Sequence, residues 1–300
     1  MTIPAPQPGI YPDVPFDTYL SWDAISNSSL HEARKSMMHY KKQLPVDETP
    51  AMKLGTLCHA GRFEPLMIAQ RYVVMPAFEL TIRKKDGSEY DKPRSTAAYR
   101  EMVDDFVKSN SEKTVVTQGE YDAMCLMVKS LSEHERANSY LAIGPKTMVE
   151  CAIVWVDEDS GLTCKGRVDA YQAHQCLCGD LKTSKDVDNF ENQIANRSYH
   201  RQGAFYCDGL ESLTGDKHSF AIVAVENFQP YGVRASTLSE DAIEIGRDEY
   251  KELLLKIAGC RKSGVWPGYR DPDEWRLPSW VMNRSEESVE LVIGGKSVSF

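Results

Sequence analysis

The chain predicts an α+β domain, a central mixed β-sheet flanked by helices. Three observations lead there. Residues up to about 140 are dominated by segments of helix formers between stop signals. From Thr147 to Ser184 the pattern changes to apolar, β-branched runs separated by turns. A long helical stretch, two strands and a further helix then follow. The length, 300 residues, allows one large domain or two small ones. With 42% hydrophobic and 26% charged residues the composition is globular, which excludes a disordered tail protein.

Residues 1–20, rich in proline and aromatics, read as extended chain lying over the domain. Trp22–Lys42 reads as a helix, with Ser26 and Ser28 as N-cap hydroxyls and basic residues toward its end. Lys53–Phe63 is a helical segment stopped by Pro65. Pro76–Pro93 is polar and turn-rich, a loop with two readings. It is a solvated surface loop, or a basic flap near a polyanion built on Arg83, Lys84, Lys85, Lys92 and Arg94, diluted by Asp86, Glu89 and Asp91. Ala97–Asn110 and Thr117–Ser139 read as helices.

Thr147–Asp157 is a strand, DEDSG a turn closed by Gly161, LTCKGRVDAY a second strand, and QCLCGDLKTS contains a third. Val187–Leu213 reads as helical, ending at Gly215. SFAIVAVE and YGVRASTL are strands and Asp241–Lys262 a helix. The last residues suggest a small hairpin turning at Gly294-Gly295. Residues 1–282 are therefore expected to form one domain, helical over about 1–140 with a sheet core over about 147–237, and 283–300 a hairpin-like tail.

Thirty-five basic against 44 acidic residues give a net charge of −9, which argues against a protein that coats nucleic acid by bulk positive charge. It leaves room for an enzyme whose carboxylates hold metal ions at phosphates. No apolar run approaches a membrane span, and the start lacks a secretory pattern, so a cytoplasmic location is expected. That setting makes the eight cysteines thiols rather than disulfides. Cys164, His174, Cys176 and Cys178 could build a zinc-stabilised interaction module, with alternation placing Cys176 and Cys178 on one strand face, although no CxxC pair occurs.

The sharpest chemistry lies in GRVDAY and GDLKTS. Asp169 sits near the end of one strand, and Asp180 and Lys182 share a face of the next. The spacing from Asp169 to Asp180 suits a short hairpin that brings the two carboxylates together. Neighbouring ionised carboxylates repel, and a divalent cation removes that cost; hard oxygen ligands suit Mg²⁺ or Mn²⁺. A lysine beside them suits a reaction with a developing oxyanion. Gln202 and Tyr206, four apart on a helix, fit a face lining a polar cleft or an ordinary amphipathic helix. His59 stands among Gly55, Ala60 and Gly61, where a ligand or another backbone could approach, or where a core histidine could sit. Glu150 either points into the same cleft or faces solvent.

In this order, His59, Glu150, Asp169, Asp180-x-Lys182 and Gln202-xxx-Tyr206 resemble the PD-(D/E)XK nuclease superfamily in its RecB-like, QxxxY-bearing branch. The chain is most similar to the RecE-like (exonuclease VIII) phage and prophage exonucleases. PGIYPDVPFDTYLSWDAISNSSL, LGTLCHAGRFEP, GLTCKGRVDAY, GDLKTS, YHRQGAFYCDGLE, WPGY and LPSWV follow the family's blocks over about residues 8–282. The resemblance implies a restriction-endonuclease-like fold. It makes His59, Asp169 and Asp180 metal ligands, with Glu150 as an outer or second-metal ligand. It makes Lys182 the catalytic lysine, and Gln202 and Tyr206 the helix motif that steadies the lysine and the DNA. The family pattern's Glu-x-Lys variant is here Asp-x-Lys. An iron–sulfur cluster is not implied, since only Cys260 lies beyond Cys207. The implied activity is Mg²⁺-dependent 5′ to 3′ digestion of linear double-stranded DNA, leaving 3′ single-stranded tails for recombination by strand annealing. The implied partners are DNA ends, further copies in a ring (a tetramer ahead of a trimer) and a RecT- or Red-beta-like annealing protein, in a bacterial host. A catalytically silent DNA-binding scaffold of the same fold is the alternative.

Overall fold

The computed structural model describes residues 2–42, 47–78, 94, 96–278, 281, 290–293 and 296–299. These divide into two compact units, Met1–Trp266 and Pro267–Phe300. The first begins with β1 (Ile3–Pro4), β2 (Gly9–Tyr11), α1 (Phe16–Ser21) and β3 (Trp22–Asp23). Then come α2 (Asn27–Lys35), α3 (Met37–Lys42), α4 (Pro50–Phe63), α5 (Ile68–Arg71), β4 (Tyr72–Val74), α6 (Ala97–Ser109), β5 (Thr114–Val116), α7 (Gln118–Glu133) and α8 (Glu135–Tyr140). The sheet strands β6 (Met148–Val156), β7 (Thr163–Gln172) and β8 (Leu177–Ser184) follow, then α9 (Phe190–Asn196), α10 (Tyr199–Thr214), β9 (Ser219–Glu226), β10 (Val233–Thr237) and α11 (Glu240–Ser263). In the second unit β11 (Glu290–Ile293) pairs antiparallel with β12 (Lys296–Ser299).

A six-stranded sheet in the order β10-β9-β8-β7-β6-β2 organises the first unit. β8 and β9 run parallel and the other neighbours antiparallel, so the sheet is mixed as the sequence predicts. The parallel pair follows from α10, the crossover that returns the chain to the same end of the sheet. Side chains of α2, α3, α10 and α11 cover one face, with Leu30, Phe205, Leu210, Leu254 and Ile257 in its core. α4, α7 and α8 cover the opposite face beside β8 and β9, through Cys58, Phe63, Met127, Leu131 and Ala137. Tyr19 of α1 and Trp22 pack on Ala152 and Val154 of β6.

Alternation along β6 and β7 slips by one residue at a single level. Cys151, Ile153 and Trp155 join the α10 face, yet Val149, two before Cys151, packs on the α4 face. On β7 Val168 belongs to the α10 face and Ala170 to the other. Between them stand Glu150 and Asp169. Cross-strand pairing brackets them, Val149 with Ala170 and Cys151 with Val168. Glu150 has φ +49, the left-handed region that a residue with a Cβ enters only where the surroundings hold it there.

Several expected long helices are broken by polar caps. The Trp22–Lys42 segment begins with β3 and is interrupted at Ser36, which is extended; its Oγ accepts from the His39 N–H and starts α3. Ser26 caps α2 as expected, in a reciprocal box with Ser29. His134 divides Thr117–Ser139, accepting the Ala137 N–H at Nδ1. Ser198, with φ +54, divides Val187–Leu213. Residues 1–20 are not simply extended, because they hold α1, and the helical N-terminal part also contains the parallel pair β4–β5. Of the Pro76–Pro93 loop, residues 79–93, and with them Arg83, Lys84, Lys85 and Lys92, lie outside the described residues; Arg94 is exposed.

The N-terminal segment is pinned to the sheet by a buried amine. Lys165 of β7 donates from Nζ to the carbonyls of Tyr19 (2.8 Å), Leu20 (3.1 Å) and Trp22 (2.7 Å) at the end of α1 and the start of β3, where Tyr19 and Trp22 also accept the N–H groups of Trp22 and Ala24. Replacing Lys165 with Met removes three charge-assisted hydrogen bonds and leaves the Leu20 carbonyl without its side-chain donor. The expected result in urea unfolding is a loss of about 3 kcal/mol, with the slope unchanged.

Candidate metal and catalytic site

The site forms where β7 and β8 part. The two strands pair only over Ala170–Gln172 with Leu177–Gly179. Beyond that level the ladder is continued by a side chain: the Leu181 N–H donates to Asp169 Oδ2 at 2.8 Å. The carbonyl of the same residue lies 2.8 Å from His59 Nε2. A carbonyl only accepts, so Nε2 carries the proton and donates it. In the neutral ring Nδ1 is then left with its lone pair.

Nδ1 faces two acids, Asp169 Oδ2 at 3.6 Å and Glu150 Oε1 at 3.9 Å. One donor atom each from His59, Glu150 and Asp169 lies within 4.8 Å of the other two, the one such group of three among the described residues. Glu150, the residue whose direction the sequence leaves open, thus points inward. Its other oxygen, Oε2, accepts from Arg167 Nε at 2.7 Å. Gly55, a turn before His59 on α4, lets that helix approach β8: a Cβ there would stand 3.1 Å from Thr183 Oγ1.

Asp180 and Lys182 enter from the α10 face. Asp180 is 2% exposed; Oδ1 accepts from Gln202 Nε2 at 2.7 Å and Oδ2 pairs with Lys182 Nζ at 2.7 Å. Gln202 therefore acts on the acid, and reaches the lysine only through it. The Lys182 ammonium also lies 4.8 Å from the centre of the Tyr199 ring. Tyr206 is buried, its ring under Gly166 of β7, where a Cβ would meet it at 2.8 Å. It fixes the seat of α10 on the sheet.

The charges explain one another. Burial disfavours the charged His59 ring, but Asp169 and Glu150 outweigh it and raise its pKa to about 9. Burial, with Asp180 and Glu150 nearby, raises Asp169 to about 7 against the pull of His59. Burial opposes ionisation of Glu150 too, yet His59 and Arg167 hold its carboxyl below the usual range. Lys182, despite burial, is raised by Asp180 and Asp169. Acids and imidazole share protons in a place where a divalent cation would satisfy them together. One nitrogen and carboxylate oxygens are a donor set that Mg²⁺ or Mn²⁺ accepts. His59, Glu150 and Asp169 fit such an ion, with Asp180 held beside them by Gln202 and Lys182.

Three participants escaped the sequence reading. Arg167 lies in GRVDAY two residues before Asp169, so period two was a signal for it. Tyr199 and the Leu181 backbone carried none. Cys164, His174, Cys176 and Cys178 do not form a metal-binding group among the described residues; Cys178 is instead hydrogen-bonded to Cys207. Cys176 has φ +49 and precedes β8, so it does not share a strand face with Cys178 as alternation suggested. Cys164 and Cys178 are buried, and His174 is exposed.

Comparisons with known proteins bear on the family and the fold. Residues 26–272 match the model of a PDDEXK-like domain family of unknown function, DUF3799. The chain belongs to this PDDEXK-like family. None of the curated proteins matches it. Among solved structures it is similar to a candidate exonuclease from Eubacterium rectale, at 12% identity and a TM-score of 0.52, over 92% of this chain and 99% of that one. At that identity the likeness concerns the fold: a mixed sheet flanked by helices, as in PDDEXK-like domains. A phage-related exonuclease from Haemophilus somnus 129PT aligns at 13% identity and a TM-score of 0.28, over 61% of this chain and 90% of that one.

The proton sharing has a measurable consequence. With Asp169 raised from 3.8 to about 7 and His59 from 6.5 to about 9, the folded site binds more protons than the unfolded chain between about pH 4 and pH 9. Its contribution to stability therefore falls as pH rises through that window. A cation that replaces the protons binds more tightly as pH rises. In calorimetry with Mg²⁺ against EDTA, the metal-induced rise in the unfolding midpoint is expected to be larger at pH 9 than at pH 6, and to vanish in His59→Ala.

Proposed function

We propose that this PDDEXK-like protein is a Mg²⁺-dependent exodeoxyribonuclease that digests linear double-stranded DNA from 5′ to 3′, leaving 3′ single-stranded tails. The observation that carries the reading is the meeting, at the β7–β8 fork, of the His59, Glu150 and Asp169 donor atoms with a lysine–aspartate pair alongside. Substrate and direction follow the resemblance to RecE-like exonucleases. The same resemblance supports a closed ring, a tetramer ahead of a trimer, and an annealing protein that takes up the exposed strand.

Phosphodiester hydrolysis needs a nucleophilic water, stabilisation of charge on the phosphorane and protonation of the leaving oxygen. A bound divalent cation supplies Lewis acidity for the first two. The chain's own residues would position the reacting groups and stabilise the charge, while the proton lost by the water and the one gained by the leaving oxygen exchange with solvent. His59, Glu150 and Asp169 would hold the ion, and Arg167 fixes the Glu150 carboxylate through Oε2. Lys182, raised by Asp180 and Asp169, is held as an ammonium that can donate to developing negative charge. Asp180, steadied by Gln202, orients that ammonium, and its carboxylate would be a further ligand for the ion.

End-labelled linear duplex tests the reading. Release of label first from 5′ ends in Mg²⁺, and none in EDTA, is expected. Lys182→Ala and Asp180→Asn should each lower the rate by at least about 10²-fold while the proteins stay folded and bind DNA. Full-rate digestion by either variant contradicts the assignment.

A further inference from the structure

The geometry points to Phe16 as a stacking platform for the nucleobase next to the scissile phosphate, an inference that rests on the nuclease reading. Phe16 is 55% exposed, and Leu20, one turn on along α1, is 53% exposed, so an apolar strip faces solvent. Single exposed apolar residues are ordinary and need no ligand. This one is continuous with the metal-binding side chains. The Arg167 guanidinium lies 5.6 Å from the centre of the Phe16 ring, and its Nε holds Glu150, whose other oxygen faces His59 Nδ1.

The platform is built to stay in place. Phe16 stacks on Tyr19, with ring centres 6.3 Å apart and planes 22° from parallel. Tyr19 is buried. The chain before α1 is held by Arg167, which donates from Nη1 to the Val14 carbonyl at 2.9 Å, and the end of α1 by Lys165. An aromatic ring that is half exposed, packed beside a second ring and with a guanidinium over both, leaves its solvent-facing surface to an unstacked base.

Charge selects the part of the nucleotide that fits. Asp13 and Asp17 stand close to Phe16 in the sequence, and the Arg167 charge is engaged by Glu150 and the Val14 carbonyl. A phosphate is repelled there, whereas the uncharged face of a base is not. The phosphate goes to Lys182 and the ion, and the base to Phe16. Because the ring accepts a base only after it has left its partner, the platform favours nucleotides at frayed duplex ends.

The test compares wild type, Phe16→Ala and Phe16→Trp on end-labelled duplexes with a normal or an abasic nucleotide at the cleaved position. A second readout is the fluorescence of 2-aminopurine at that position, bound in Ca²⁺. With the base present, Phe16→Ala is expected to raise KM by about 5- to 100-fold at unchanged kcat and to abolish the quenching of 2-aminopurine. Phe16→Trp should restore both, and the abasic substrate should remove the difference between wild type and Phe16→Ala. Equal KM and quenching for wild type and Phe16→Ala, or the same loss on abasic DNA, overturns the platform while leaving the nuclease reading intact. A wild type that neither binds nor cuts DNA overturns that reading, and the platform with it.

Discussion

The backbone of Leu181 ties the whole site together. Its N–H goes to Asp169 and its C=O receives His59, so one residue between Asp180 and Lys182 fixes the acid of β7 and the imidazole of α4. Leu181 is itself buried on the α4 face, which leaves Asp180 and Lys182 on the α10 face. Side chains from both faces can meet only because β7 and β8 separate at this level. A fully paired ladder would use the Leu181 N–H for a strand partner and close the gap.

The same economy runs along β6 and β7. The slip in alternation turns Glu150 and Asp169 toward one another at the fork, at the cost of a left-handed backbone at Glu150. Two cations of β7 then fasten the N-terminal segment, Lys165 to the end of α1 and Arg167 to Val14, and Arg167 also braces Glu150. Packing of α1 on the sheet and placement of a site carboxylate are thereby one structure. Net negative charge does not oppose this chemistry, since the acids that gather at the fork are those a cation would neutralise.

Much of this was legible in the residues, and the limits have physical causes. Period two put Asp180 and Lys182 on one face, and strand spacing brought Asp169 opposite them. The helix register placed Gln202 and Tyr206 together, but did not say that one reaches Asp180 while the other is buried under Gly166. Glu150 resisted because its backbone leaves the strand conformation on which parity arguments depend. Helix breaks at Ser36, His134 and Ser198 were missed because these residues act through local hydrogen bonds or turn geometry, against favourable propensity on either side. Cys176 was misplaced because the turn before β8 ends one residue later than alternation assumed.

The direct measurement is anomalous scattering from a crystal soaked in Mn²⁺. The account expects a peak within coordination distance of His59 Nδ1, Glu150 and Asp169, absent in Asp169→Asn. A fully occupied peak elsewhere, or none at the fork at millimolar Mn²⁺, contradicts it.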